Sequence, residues 1–165
     1  MIDADMRAIV ASAHLCFAAT VSPDGRPNLS PKGTIRVWDD RHLFFLDIAS
    51  PRTRANLAAN PWIELNVVDE RSRRGYRFLG RGRIHADDDT ARTAIERVLA
   101  EEGAEYPVSG VVLVEVERAE AVVSPGYAHV QDEPAMRAAW RERRARLDAE
   151  YETYLNGRRG TGAER

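Results

Sequence analysis

The stretch Ser50-Pro51-Arg52-Thr53-Arg54 gathers two hydroxyls, a proline and two guanidinium groups at one expected helix start. A helix N-terminus carries unpaired backbone N–H groups and a partial positive charge, so acidic side chains are its usual stabilisers. Here the first turn holds Arg52 and Arg54 around Thr53, and no acid. The three other helix starts in the chain, at Asp3, at Asp87-Asp88-Asp89-Thr90 and at Asp132-Glu133, all open with acids. Free N–H groups, the Thr53 hydroxyl and one or two guanidinium forks make a set that can grip a phosphate. A solvated surface helix in an arginine-rich chain is the competing reading.

A second stretch with possible chemistry is Ser30-Pro31-Lys32-Gly33-Thr34. Lys32 is the only lysine, so 23 of the 24 Lys and Arg residues are arginines. A compact ammonium can donate to an electron-rich ring or a carboxylate where a planar fork does not fit. Gly33 lets a ligand or backbone approach closely. An ordinary turn between strands is the alternative. The segment Arg71–Arg77 (RSRRGYR) places an aromatic among arginines and could contact RNA, or simply be a solvated loop. The histidines His14, His42, His85 and His129 show no metal-ligand spacing, so no metal is expected. Cys16 is the only cysteine and sits in an apolar run, which predicts a buried, inert thiol and excludes an internal disulfide. No G-x-S-x-G or phosphate-loop pattern is present.

The elements that must position these groups follow from periodicity. The chain has 165 residues, 44% hydrophobic and 30% charged, and fits one soluble domain, expected over residues 1–157. A net charge of −2 gives no push towards nucleic acid or an acidic membrane surface. The first residues, MIDADMR, lack the apolar segment of a signal peptide, and no apolar run reaches membrane-spanning length, so a cytoplasmic location is expected. A first helix is predicted from Asp3 to about Ala13. Strands follow at Cys16–Ser22, Arg26–Ser30, Gly33–Trp38 and His42–Asp47, the last apolar enough for burial on both faces. Ser50-Pro51 opens a helix that Asn60-Pro61 stops. Further strands are predicted at Trp62–Asp69, Tyr76–His85 and Val111–Val123, with a helix at Ala91–Glu102. Gly80 and Gly82 share one face of their strand, suited either to sharp coiling or to a flat ligand. A long helix is expected at about 133–155, and a disordered tail at 158–165. The class is mainly β (α+β): a six- to seven-stranded antiparallel barrel or sandwich with peripheral helices.

Three pieces together carry a resemblance: the opening hairpin FAATVSPDGRPNLSPKG, the strand and helix LFFLDIASPRTRANLAANP, and the strand YRFLGRGRIH. Over Leu15 to Val123 the chain resembles the pyridoxamine 5'-phosphate oxidase-like superfamily of flavin-binding split barrels. The resemblance implies FMN as cofactor, its phosphate at Ser50, Arg52 and Thr53. It places the ring along Pro31, Lys32 and Gly33 on one side and Asp47 and Ile48 on the other. It implies a homodimer with the cofactor in the dimer groove, a small-molecule substrate, and Tyr127 near the flavin face. A flavin oxidoreductase is the implied activity. A deazaflavin-dependent reductase and a non-catalytic flavin- or haem-binding module are the alternatives. The chain departs from the vitamin B6 oxidases of that superfamily: an Arg/Glu-rich helix stands where they carry a substrate-completing C-terminal segment, and Arg-Thr stands where many relatives have Arg-Lys.

Overall fold

Between Leu43 and Leu46 every side chain is buried, because this strand has a packed layer on each face. Leu43 and Phe45 point into one core with Cys16, Ala18, Leu65, Val67, Phe78, Val112 and Val114. Phe44 and Leu46 point the other way, against Ala91, Ala94 and Val98 of a helix. Alternate residues of a strand face opposite sides, so double burial demands the unbroken apolar run seen here.

The computed structural model describes residues 1–103 and 106–160, with side chains to residue 156. The elements are α1 (Ala4–Ala13), β1 (Cys16–Val21), β2 (Pro27–Lys32), β3 (Arg36–Val37), β4 (His42–Asp47), α2 (Pro51–Ala59), β5 (Trp62–Asp69), β6 (Arg74–His85), α3 (Asp89–Glu102), β7 (Gly110–Val123) and α4 (Glu133–Gly160), with a short 3-10 turn at Pro125–Ala128. One seven-stranded sheet runs in the order β2-β1-β5-β6-β7-β4-β3, antiparallel through the pairs whose register is defined. Cys16 near one edge and Val37 at the other belong to the same core, so the sheet curls on itself into a half-barrel. The chain divides into two compact units. The first holds Met1–Asp69 and Arg74–Val122, with the sheet and α1 to α3; the second holds Glu70–Arg73 and the chain from Val123 on, with α4.

Sequence and structure differ in a few places. The third strand shrinks from Gly33–Trp38 to Arg36–Val37, since the Thr34 hydroxyl, not a backbone carbonyl, accepts the Leu46 N–H at 2.9 Å. The second strand instead extends to Lys32, so Pro31 and Lys32 are strand residues rather than turn residues. Its two prolines are tolerated because β2 is an edge. The last helix continues to Gly160, past the expected stop near 155, and takes in residues 158–160 of the expected tail; the rest of that tail, 161–165, lies outside the described residues.

The paired glycines of β6 serve coiling. A Cβ on Gly80 would stand 2.1 Å from the Glu115 carbonyl oxygen of β7, and one on Gly82 would meet the Leu57 side chain of α2 at 3.0 Å. Protein atoms fill the space that a flat ligand would need. Gly80→Ala should therefore cost at least about 3 kcal/mol, the upper end for overpacking a core. Gly25→Ala, where φ is +82° and nothing lies within 4 Å, should cost only ~1–2 kcal/mol. Urea unfolding of the two variants tests the ranking.

Candidate functional site

Ser50 occupies the N-cap position of α2, yet its side chain makes no capping hydrogen bond. Its hydroxyl turns inwards, donating to Asp47 Oδ1 at 2.9 Å and accepting from Lys32 Nζ at 2.7 Å. The other three helices are capped by carboxylates: Asp3 accepts from Met6 N, Asp88 from Ala91 N, and Asp132 from Ala135 N. Pro51 has no N–H, and the Arg54 N–H is already bonded to the Ser50 carbonyl. The N–H groups of Arg52 and Thr53 are thus the ones for which α2 has no side-chain cap.

Behind this helix start lies a buried polar network. Lys32 is 6% exposed and also donates to Ser30 Oγ at 2.8 Å. Its Nζ lies 5.4 Å from the centre of the Phe45 ring. Burial pushes the Lys32 ammonium below its ordinary pKa, opposed chiefly by the charge of Asp47. Asp47, at the end of β4, holds Arg54 Nη1 at 3.0 Å, and the same nitrogen reaches the Ser109 carbonyl at 3.1 Å. One of the two cations at the helix start is therefore satisfied from within the fold. Arg52 is exposed.

A second cluster pins α2 to the opening hairpin. Thr53 is buried, and its hydroxyl accepts from Asn28 Nδ2 at 3.3 Å. Asn28 and Asn56 both donate to Thr20 Oγ1, at 3.1 and 3.0 Å. Between hairpin and helix opens a cleft of about 430 Å³, lined by Asn28, Asn56, Arg26 and Arg52 among others. Asn28 and Asn56 escaped the sequence reading: both look like ordinary polar residues until the fold brings them to one hydroxyl.

The expected site residues fall into separate places. Lys32, Asp47 and Ser50 meet in the network; Arg52 lines the cleft, and Thr53 is buried behind Asn28. Pro31 is exposed on the edge strand. Gly33 is exposed and lines a different cleft, with His14 and Arg36. Ile48 packs on the Phe44–Val98 core. Tyr127 belongs to the second unit, where its hydroxyl donates to the Ser72 carbonyl at 2.6 Å. Among the described residues no group of three or more His, Cys, Asp or Glu side chains could hold a metal ion, and no helix is long and apolar enough to cross a membrane.

Comparison with known proteins bears on this geometry. The family model for pyridoxamine 5'-phosphate oxidase matches residues 2–123. A comparison with curated proteins gives no match. Among solved structures, HupZ of Group A Streptococcus is 30% identical, over 75% of this chain and 96% of that one, with a TM-score of 0.67. HutZ, the heme storage protein of Vibrio cholerae, is 15% identical over 74% and 94%, with a TM-score of 0.59. An FMN-binding protein from Syntrophomonas wolfei subsp. wolfei is 14% identical over 73% and 90%, with a TM-score of 0.54. The last two likenesses are of fold alone.

Two outcomes test the network. Asp47→Ala strips the counter-charge from Lys32 and Arg54 and should lower stability by about 3 kcal/mol in denaturant titration. Burial pushes the Cys16 thiol up to about 12, with the Lys32 charge pulling against it. Ellman's reagent at about pH 8 should leave Cys16 untouched in the native protein and label it fully once unfolded.

Proposed function

The chain belongs to the pyridoxamine 5'-phosphate oxidase family, and from that premise we propose that it binds FMN with the phosphate at the start of α2. The observation that carries this reading is the α2 N-terminus: the one described helix start of the four with no carboxylate cap, and with Arg52 open beside it. Backbone N–H groups of Arg52 and Thr53 and the Arg52 guanidinium suit a phosphate dianion. Ser50 and Lys32 act from behind. The Asp47 carboxylate and the Lys32 ammonium fix the Ser50 hydroxyl, and that network sets the backbone from which the helix departs. Lys32 spends two of its three N–H donors inside the protein, on Ser30 and Ser50, so its role in this reading is positioning.

A bound flavin supplies hydride chemistry, and the protein supplies binding, orientation and exclusion of water. We infer an oxidoreductase acting on a small molecule that stacks on the open ring face. The second wall of the site is assigned to another copy of this chain. The outer face of the opening hairpin is apolar: Phe17 pairs with Pro31, Ala19 with Leu29 and Val21 with Pro27. Phe17, Val21 and Leu29 are exposed, Leu29 at 65%. A contiguous apolar sheet face of this kind favours association.

FMN should bind much more tightly than riboflavin, which lacks the phosphate. Arg52→Glu should weaken FMN by about 100-fold, the loss of one charge-assisted contact plus repulsion. Equal affinity for FMN and riboflavin, or no change in the variant, removes the phosphate assignment. The same titration with a deazaflavin, and with haem read in the Soret band, decides between the cofactors used in this fold. Leu29→Glu should convert a dimer into a monomer in sedimentation and weaken flavin binding with it.

A further inference from the structure

The second unit contains a cleft that the flavin reading does not use. It measures about 670 Å³, within the range of small-molecule sites. Five arginines line it (Arg71, Arg73, Arg137, Arg141 and Arg144) against two acids, Glu70 and Asp148, an excess of three positive charges. The chain as a whole carries −2, so this is a local concentration of charge. Part of it is neutralised in place. Arg144 lies 3.7 Å from Glu70 and 3.0 Å from Asp148, and Arg137 reaches Glu133 at 2.8 Å. Arg141 carries no ion pair among the described residues and is exposed.

Arg73 is the distinctive member. Its backbone has φ +58°, a left-handed conformation that non-glycine residues adopt rarely. Two hydrogen bonds hold the loop in that shape: the Tyr127 hydroxyl donates to the Ser72 carbonyl at 2.6 Å, and the Ser124 N–H to the Arg73 carbonyl at 3.0 Å. The Arg73 guanidinium lies over the Trp140 ring, 4.3 Å from its centre, a cation–π contact that holds the side chain there. Its Nε–H is buried and has no hydrogen-bond partner. A buried donor without an acceptor is uncommon.

We propose that this cleft is a second ligand site, for a small molecule bearing phosphate groups. Arg73 and Arg141 make the direct contacts, and Trp140 positions Arg73. Guanidinium forks match the tetrahedral oxygens of a phosphate, and the excess charge exceeds what one carboxylate would balance. The site shares no residue with α2, so it stands independently of the flavin assignment.

Pyrophosphate is the probe. Calorimetry at low salt should register binding to the full chain, with affinity falling as salt is raised. Arg73→Gly removes the guanidinium at a backbone position where glycine is at ease, and Arg141→Gln alters an exposed side chain; each should weaken pyrophosphate by about tenfold or more with the far-ultraviolet spectrum unchanged. Arg52→Glu, which targets the flavin phosphate, should leave pyrophosphate binding at this cleft intact. Absence of binding heat with the native protein, or native affinity retained in both cleft variants, overturns the proposal. Binding of a short single-stranded RNA with no response to pyrophosphate overturns the small-ligand assignment.

Discussion

The Asp47 carboxylate sits at the point where the first unit's strands and its central helix are joined. It lies at the end of β4, almost wholly buried, and holds the Ser50 hydroxyl with one oxygen and Arg54 with the other. Through Ser50 it reaches Lys32 on β2, and through Arg54 it reaches the Ser109 carbonyl just before β7. A buried carboxylate without partners is costly, and so is the buried Lys32 ammonium without a counter-charge. The network is satisfied only when β2, β4, α2 and the approach to β7 are all in place. It ties the entry angle of α2 to the strands rather than to a cap of its own.

Using Ser50 in this way has a consequence at the helix end. A serine that donates inwards to Asp47 is not placed to accept from its own helix. Three aspartates do that work elsewhere, and each places negative charge where the helix dipole favours it. At α2 no carboxylate caps the helix, while Thr53, Asn28, Thr20 and Asn56 lock the first turns against the hairpin. Rigidity and an open positive end are thus products of the same arrangement. Donors held this way would need little reordering to meet an anion, in keeping with the proposed phosphate site.

The half-barrel depends on close backbone approach. Gly80 lets β6 meet the backbone of β7 near Glu115, and Gly82 makes room for Leu57. With larger residues there the sheet could not bend enough to bring Cys16 and Val37 into one core. The second unit follows other rules. Its clamped loop carries Arg73 in a left-handed conformation under Trp140, with charge gathered along α4.

Much of the first unit was legible in the residues. The all-apolar run gave β4 its position and double burial, Ser50-Pro51 and Asn60-Pro61 bracketed α2, and alternation gave β5 from Trp62 to Asp69. These features are local: propensity, period and proline geometry act within a few residues. The charge anomaly at Arg52 and Arg54 was visible for the same reason. What the two arginines do was not visible, since Arg54 is claimed by Asp47 and Ser109 while Arg52 stays open. Nor could the sequence separate Gly33 and Ile48 from Lys32 and Ser50, or bring Asn28 to Thr53 across 25 positions. Local pattern determined which elements form and where the helix start flanked by arginines lies. Hydrogen-bond partners far apart in the chain depend on sheet register and curl, and those only the tertiary structure decided.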